Sequence, residues 1–515
     1  MIVFETILVM LAAAVLLLAT ARWLRLPYPA MLAVAGAAVA IAHVDVGFRV
    51  DPELALALFI APVLLDAAYD TSLRDLKRHW APVASLVLIA VGLTTVAVAL
   101  VVHVFAPTIP WAAAMAIGAI VAPPDAVAAT TVLRDVKLPH RVSVILEGEA
   151  LLNDASALLI YRLAVTAVLA GGSVGTEVIA PAFLLSLFGS VIAGLVFAWV
   201  TGHVTRRITD APSSIIVQFV STYGVWMFAE RVGLSPILTM VSYAMTLARS
   251  MPVYLPARLR IPSFAVWETA VLVLNVLAFL VIGLELGPII AAARPGELGR
   301  WAWLGAAVLA TVIGVRLLWA LAGALWAQWR ITRGAAAPGD GPLPSWRTGL
   351  IIGWAGTRGL VTVATALALP QSFPERGMLL FAAFTVTLGT LLIQGLTLRP
   401  LVVALRVAQD ATVEREVREA RVAMAEAALD SLTDDRDHEA EMLRAELQAE
   451  RRMAAAAQEG EGRPLFVITT LRAKILAARR RRLLALRSEG VIGDDAFHRL
   501  EEELDLLELA VATRT

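Results

Sequence analysis

"IVAPPDAVAATTV", residues 120–132, lies inside an apolar run long enough to cross a bilayer, yet it cannot be one continuous helix. Pro123 and Pro124 remove two adjacent backbone donors, and their rings clash with the preceding turn. A second run has a matching fault. In "GWAGTRGLVTVATALALP", residues 353–370, Gly353, Gly356 and Gly359 surround Arg358 and weaken the helix there. Backbone that is not helical at membrane depth is tolerated only where protein or a water-filled cavity satisfies it. Two such breaks predict a fold organised around a buried polar crossing point.

The composition is that of an integral membrane protein. Of 515 residues 59% are hydrophobic, and the mean hydropathy is +0.76. A formal net charge of zero says nothing about partners, and no nucleic acid is expected among them. The absence of cysteine excludes disulfides and thiolate metal sites. Nearly half of the charged residues fall after residue 404, which divides the chain into a transmembrane domain, 1–404, and a cytoplasmic helical tail, 405–515. The first apolar run, Ile2 to Ala21, has no basic residue before it and Arg22 and Arg25 after it. That order reads as a retained helix with an outward N-terminus, not as a cleaved signal.

Apolar runs of spanning length occur at roughly 2–21, 28–44, 51–69, 80–105, 111–133, 142–170, 178–201, 213–230, 234–249, 263–290, 300–328, 346–369 and 376–404, thirteen in all. Alternate loops carry Arg22/Arg25, Arg74/Lys77/Arg78, Arg134/Lys137/Arg141, Arg206/Arg207, Arg249/Arg258/Arg260 and Arg330/Arg333/Arg347. These are sixteen cations against five in the intervening loops. The bias orients the chain with its N-terminus outside and its tail in the cytoplasm. The two broken runs are the fifth members of spans 1–6 and of spans 8–13, and they run in opposite directions. Matching interruptions in two halves are the signature of an inverted repeat whose ion site lies where broken helices cross.

"EGEALLNDASALLIYRL", residues 147–163, adds Glu149, Asn153 and Asp154 to this region. An ionised group at bilayer depth costs roughly 2.5 kcal/mol or more. Apolar surroundings favour the neutral form of a carboxyl group, so such a group takes up a proton, and a monovalent cation competes for the same oxygens. Asp154 and Asp125 are the candidates to hold a proton or a sodium ion. The structural alternatives are a helix–helix hydrogen bond for Asp154 and a cap on the broken half-helix for Asp125. Asn153 lies beside Asp154, and Ser156 and Thr130 could add hydroxyls or simply bond within their helices. Asp66, ending the third span, reads equally as an interfacial residue or as part of an ion path. Arg358 is the counter-charge in the second break, with Glu149 expected as its partner in a structural ion pair. Arg162 and Arg316 are expected as structural pairs or snorkelling side chains. The seven His sit mostly near span ends, without ligand spacing.

Taken together, "APPDAVAATTV", "EGEALLNDAS", "GWAGTRGLVTVATALALP" and "LLIQGLTLRPLV" resemble the sodium/proton exchangers of the monovalent cation:proton antiporter-1 family over residues 1–404. The resemblance implies thirteen helices, with a six-helix core moving against a dimerisation domain, and hence a homodimer in the cell membrane. It implies that Asp154 binds cation and proton, that Asn153 supports it, that Glu149 pairs with Arg358, and that Asp125 and Asp66 flank the ion path. The Asn-Asp form resembles the electroneutral branch, which exchanges one cation for one proton. This chain departs from many relatives by having Pro124 before Asp125 and Ala150 after Glu149, where hydroxyl residues are common. Both departures bear on the choice among Na⁺, Li⁺ and K⁺.

The reading that follows is an antiporter for monovalent cations and protons, in contact with membrane lipid and needing no cofactor. It is not an enzyme. A potassium/proton antiporter is the near alternative. A cation channel would favour a ring of pore residues or a filter loop. An intramembrane aspartyl protease would need two Asp sharing a water and has no use for an Arg-bearing broken helix. The tail reads as charged amphipathic helices followed by a hairpin, with Gly490 and Gly493 at its turn, Asp494 as cap, and Arg479 to Arg482 facing Glu501 to Glu503. Its expected role is regulation or support of a dimer.

Overall fold

A computed structural model of the chain describes residues 2–24, 26–42, 52–125, 138–170, 176–334, 344–407, 412–432 and 437–456, and in the distal tail 474–483 with scattered positions to 507. Among the described residues every regular element is helical. The chain divides into two compact units, Met1–Asp410 and Ala411–Thr515.

The first unit opens with α1 (Ile2–Leu24), α2 (Tyr28–Ile41) and α3, whose segments Pro52–Ala55 and Ala61–Asp70 are joined by a π-helical turn at Leu56–Ile60. A short α4 (Leu73–Arg78) leads into α5 (Trp80–Phe105), which has its own π turn at Ser85–Ala90. Next come α6 (Trp111–Val121), α7 (His140–Leu169), α8 (Thr176–Thr205), α9 (Ala211–Arg231) and α10 (Pro236–Tyr254). The unit ends with α11 (Ala257–Leu284), α12 (Glu297–Thr332), α13 (Trp346–Trp354), α14 (Leu360–Leu367) and α15 (Arg376–Leu405). Among the described residues six helices are long and apolar enough to cross a membrane, α5, α7, α11, α12 and α15 with Leu185–Thr205 of α8. Helix starts follow local chemistry where loops meet water. Asp210 and Ser235 accept the free amides of Ser213 and Leu238, and Ser345 with Thr348 forms a capping box.

Two apolar clusters organise the packing. One joins α1, α2, α5, α6, α7, α11, α12, α14 and α15 through residues such as Ile117, Phe279 and Phe384. The other joins α3, α7, α8, α9, α10 and α11 through Ile60, Leu151, Met240 and Trp267. A polar link crosses the second: the Trp267 indole donates to Gln218 Oε1 at 2.8 Å, and Gln218 Nε2 donates to Ser263 at 3.2 Å.

The outer edge of the unit is tied down by charge. Asp75 of α4 takes Arg74 at 3.2 Å and His140, the first residue of α7, at 3.3 Å. Burial pushes the Asp75 carboxyl up, but the Ser72 hydroxyl, Arg74 and His140 together outweigh it and hold the group below the usual carboxylate range.

The second unit contains α16 (Thr412–Ser431) and α17 (His438–Ala456), packed on each other. Arg451 meets Glu426 at 2.9 Å with both side chains about half exposed, a pair that contributes about 1 kcal/mol at most. The hairpin turn at Gly490, Gly493 and Asp494 lies outside the described residues, as does most of the Glu501 to Glu503 cluster.

Small residues set a close helix crossing. Gly36 of α2 faces Gly283 of α11, where a Cβ added to Gly283 would lie 2.8 Å from the Gly36 carbonyl carbon. Backbones approach this closely only when neither carries a side chain. Gly283→Ala is expected to lower the melting temperature of the detergent-solubilised protein, because overpacking costs about 1–3 kcal/mol. Gly314→Ala, whose new Cβ would meet nothing within 4 Å, should leave it unchanged or higher.

Candidate functional site

The two helix breaks meet. α6 stops at Val121 because Pro123 and Pro124 cannot donate, and the chain runs non-helical into Asp125. α13 stops at Trp354, and residues 355–359 are non-helical before α14 begins. The Asp125 amide donates to the Thr357 carbonyl at 2.7 Å, so one break hydrogen-bonds directly to the other. Asn153 of α7 donates from Nδ2 to the Pro124 carbonyl at 2.8 Å. Gly359 touches the Asp125 carboxylate, and a Cβ there would occupy the same space, so glycine is required by the close approach. The second half of the first broken segment, with Thr130, lies outside the described residues.

Arg358 secures the crossing from within. Its side chain is 1% exposed. Its Nε donates to the Val121 carbonyl at 2.7 Å and its Nη1 donates to the Gly356 carbonyl, while its own amide donates to the Thr390 hydroxyl of α15 at 2.9 Å. Helix C-termini leave carbonyls unpaired and carry partial negative charge. A guanidinium placed at the ends of α6 and α13 answers both needs.

This arrangement corrects the expected pairing of Glu149 with Arg358. Glu149, itself 1% exposed, forms a two-pronged salt bridge with Arg316 of α12: Oε1 meets Nη1, and Oε2 accepts from Nη2 at 2.9 Å. Arg316 Nη2 also donates to the Ile352 carbonyl at 3.1 Å, so the pair fixes α7 and α12 to the end of α13. The reason is availability of acceptors. Arg358 is drawn to the carbonyls of the breaks, and Arg316 has a buried carboxylate facing it.

Beside the crossing lies a cavity of about 50 Å³ lined by Asp125, Asp154 and Asn275, with apolar walls from Phe59, Ile60, Leu151, Phe279 and Leu360. It sits where the two apolar clusters meet, since Ile60 and Leu151 belong to one and Phe279 to the other. Phe59 and Ile60 come from the π turn of α3, a kind of distortion often found at functional sites. Asp154 is 8% exposed, and among the described residues nothing donates a hydrogen bond to its carboxylate. Asn153 is fully buried, and its Oδ1 has no partner among the described residues. Ser156 donates to the Val87 carbonyl in the π turn of α5 and to the Asn153 carbonyl, both at 2.8 Å, which is a structural role. Asp66 stays outside the cavity lining, next to Ala67, which contributes to it. Asn275 was missed by sequence reasoning, although an isolated amide in "VLVLNVLAFLVIGL", residues 271–284, is a detectable signal. Among the described residues no three His, Asp or Glu converge as a metal cluster.

Removing one member of a buried ion pair leaves an uncompensated charge at a cost of about 3–5 kcal/mol. Glu149→Gln and Arg316→Gln are each expected to lower folded yield and melting temperature, and the double variant should lose less than the sum of the two. The same double-mutant cycle between residues 149 and 358 should show the smaller coupling.

The profile of the family described as "Sodium/hydrogen exchanger, transmembrane" matches residues 9–404. An uncharacterized Na(+)/H(+) exchanger of Escherichia coli is 29% identical, with 94% of each chain covered. A sodium, potassium, lithium and rubidium/H(+) antiporter of Bacillus pumilus is also 29% identical, over 72% of this chain and 57% of its own length. The fold is similar to that of the sodium proton antiporter MjNhaP1 of Methanocaldococcus jannaschii, with a TM-score of 0.60 at 15% identity, covering 79% of this chain and 99% of that one. The chain belongs to the sodium/hydrogen exchanger family of membrane transporters.

Proposed function

We propose that the protein exchanges a monovalent cation, Na⁺ first and Li⁺ or K⁺ after it, for H⁺ at Asp154. The observation that carries this reading is the cavity at the crossing. It presents a buried carboxylate to which no described residue donates a hydrogen bond, in a space of about 50 Å³, enough for an ion with a water or two. A carboxylate so placed binds either a proton or a cation, and the two exclude each other. Asp125 supplies a second carboxylate, and Asn153 holds the Pro124 carbonyl and so the shape of the break. Asp66, one residue from the cavity wall, belongs to the approach.

With Asn153 where a second acid could stand, one titrating group carries either load and the site's net charge is the same in both. Exchange is then electroneutral, one cation for one proton, and the membrane potential exerts no drive on it. A thirteen-span inverted repeat with alternating access accommodates these features. Packing supports the repeat: α2 on α11 is matched by α3 on α10, α5 on α6 by α12 on α13, and α6 on α7 by α14 on α15. The cationic loops favour an outward N-terminus and an inward tail in the cell membrane, and the family resemblance favours a homodimer.

In proteoliposomes carrying a pH dye, addition of Na⁺ should dissipate an imposed proton gradient with the wild-type protein. Asp154→Asn should abolish the response while remaining folded in the membrane. Full activity in that variant would end the reading. Clamping the potential with valinomycin and K⁺ should leave the Na⁺-driven rate unchanged, and a steep dependence on potential would contradict one-for-one exchange.

A further inference from the structure

Asn275 has a position whose cost calls for a return. It is the only side chain with a hydrogen-bonding group between Val271 and Leu284, and it is 8% exposed. Among the described residues its amide has no hydrogen-bond partner, and it lines the cavity together with Asp125 and Asp154. An amide in such a place has no structural task that an apolar side chain of similar shape would not fill.

We propose that Asn275 is a specificity-determining residue, its carboxamide oxygen acting as a ligand of the cation held at Asp154. The inference rests on the exchange reading given above. A small hard cation prefers oxygen ligands, and on entering so confined a space it must trade much of its water shell for protein oxygens. Among the described residues the lining offers side-chain oxygens from Asp154, Asp125 and Asn275 only, because the rest of it is apolar. A carboxamide is suited to the third position. Its oxygen is a strong dipole without net charge, so it strengthens cation binding without altering the charge balance between the two loaded states. The ligand set also spans two helices, since Asp154 stands on α7 and Asn275 on α11.

The test is transport in proteoliposomes by Asn275→Leu, which keeps the volume and removes the oxygen, and by Asn275→Ser, which restores a hydroxyl. The Leu variant is expected to raise KM for Na⁺ and Li⁺ about tenfold, the typical effect of losing one ligand to a charged group. Its melting temperature without cation should be unchanged or higher, and the Ser variant should recover part of the loss. With cation held in fixed proportion to each variant's KM, the pH profiles should superimpose on that of the wild type.

If the Leu variant does not transport, cation-induced thermal stabilisation in detergent reads binding directly. That stabilisation should be lost in Leu and present in Ser. KM and cation-induced stabilisation unchanged in Leu, or a fall in kcat and stability with KM unchanged, would overturn the proposal. Loss of cation-induced stabilisation in Asp154→Asn but not in Asn275→Leu would overturn the role of Asn275 alone. Its retention in both would overturn the Asp154 reading on which the proposal stands.

Discussion

Two helices that stop inside a bilayer leave carbonyls and amides that no water can reach, and the structure depends on how those groups are satisfied. The solution is mutual. The Asp125 amide donates to the Thr357 carbonyl, and the Arg358 guanidinium donates to the carbonyls of Val121 and Gly356. Each break therefore supplies what the other lacks. The crossing is fixed by hydrogen bonds in a medium of low dielectric, where an unmade bond costs several kcal/mol. This fixed frame places Asp125 and Asp154 on one small cavity.

The charges around the frame have separate tasks. Glu149 and Arg316 neutralise one another and tie α7 and α12 to the second break, so neither is available to an ion. Arg358 is occupied by helix ends. Asp154 alone among these groups faces the cavity with no donor among the described residues, and that is the condition for exchanging ligands. A carboxylate already committed to an arginine would be a structural element, as Glu149 is.

Much of this was legible in the sequence, because its signals are local. Two prolines in an apolar run can only end a helix, and three glycines around an arginine weaken one. Asp154 and Asn153 stand out because charge and amide are rare in such surroundings. The partner of Glu149 was not legible. Two arginines, Arg316 and Arg358, lie in later spans, and the choice between them depends on helix crossing geometry and on which carbonyls the breaks expose. Asn275 was passed over for another reason: a neutral amide costs less than a charge and attracts less notice, although its isolation among apolar neighbours was visible. Ser156, read as a possible ligand or an intrahelical bonder, makes the intrahelical bond to the Asn153 carbonyl and reaches as well to a carbonyl in the π turn of α5, and that turn has no clear sequence signature.

In the proposed exchange one carboxyl group serves two mutually exclusive ligands. It is tested most directly by proton release from the detergent-solubilised protein in weak buffer on addition of Na⁺ or Li⁺. Cation binding should expel protons, approaching one per cation as the pH is lowered into the range where the carboxyl group is protonated, and Asp154→Asn should release none. Saturable cation binding without proton release at any pH, or undiminished release from the Asp154→Asn variant, would contradict it.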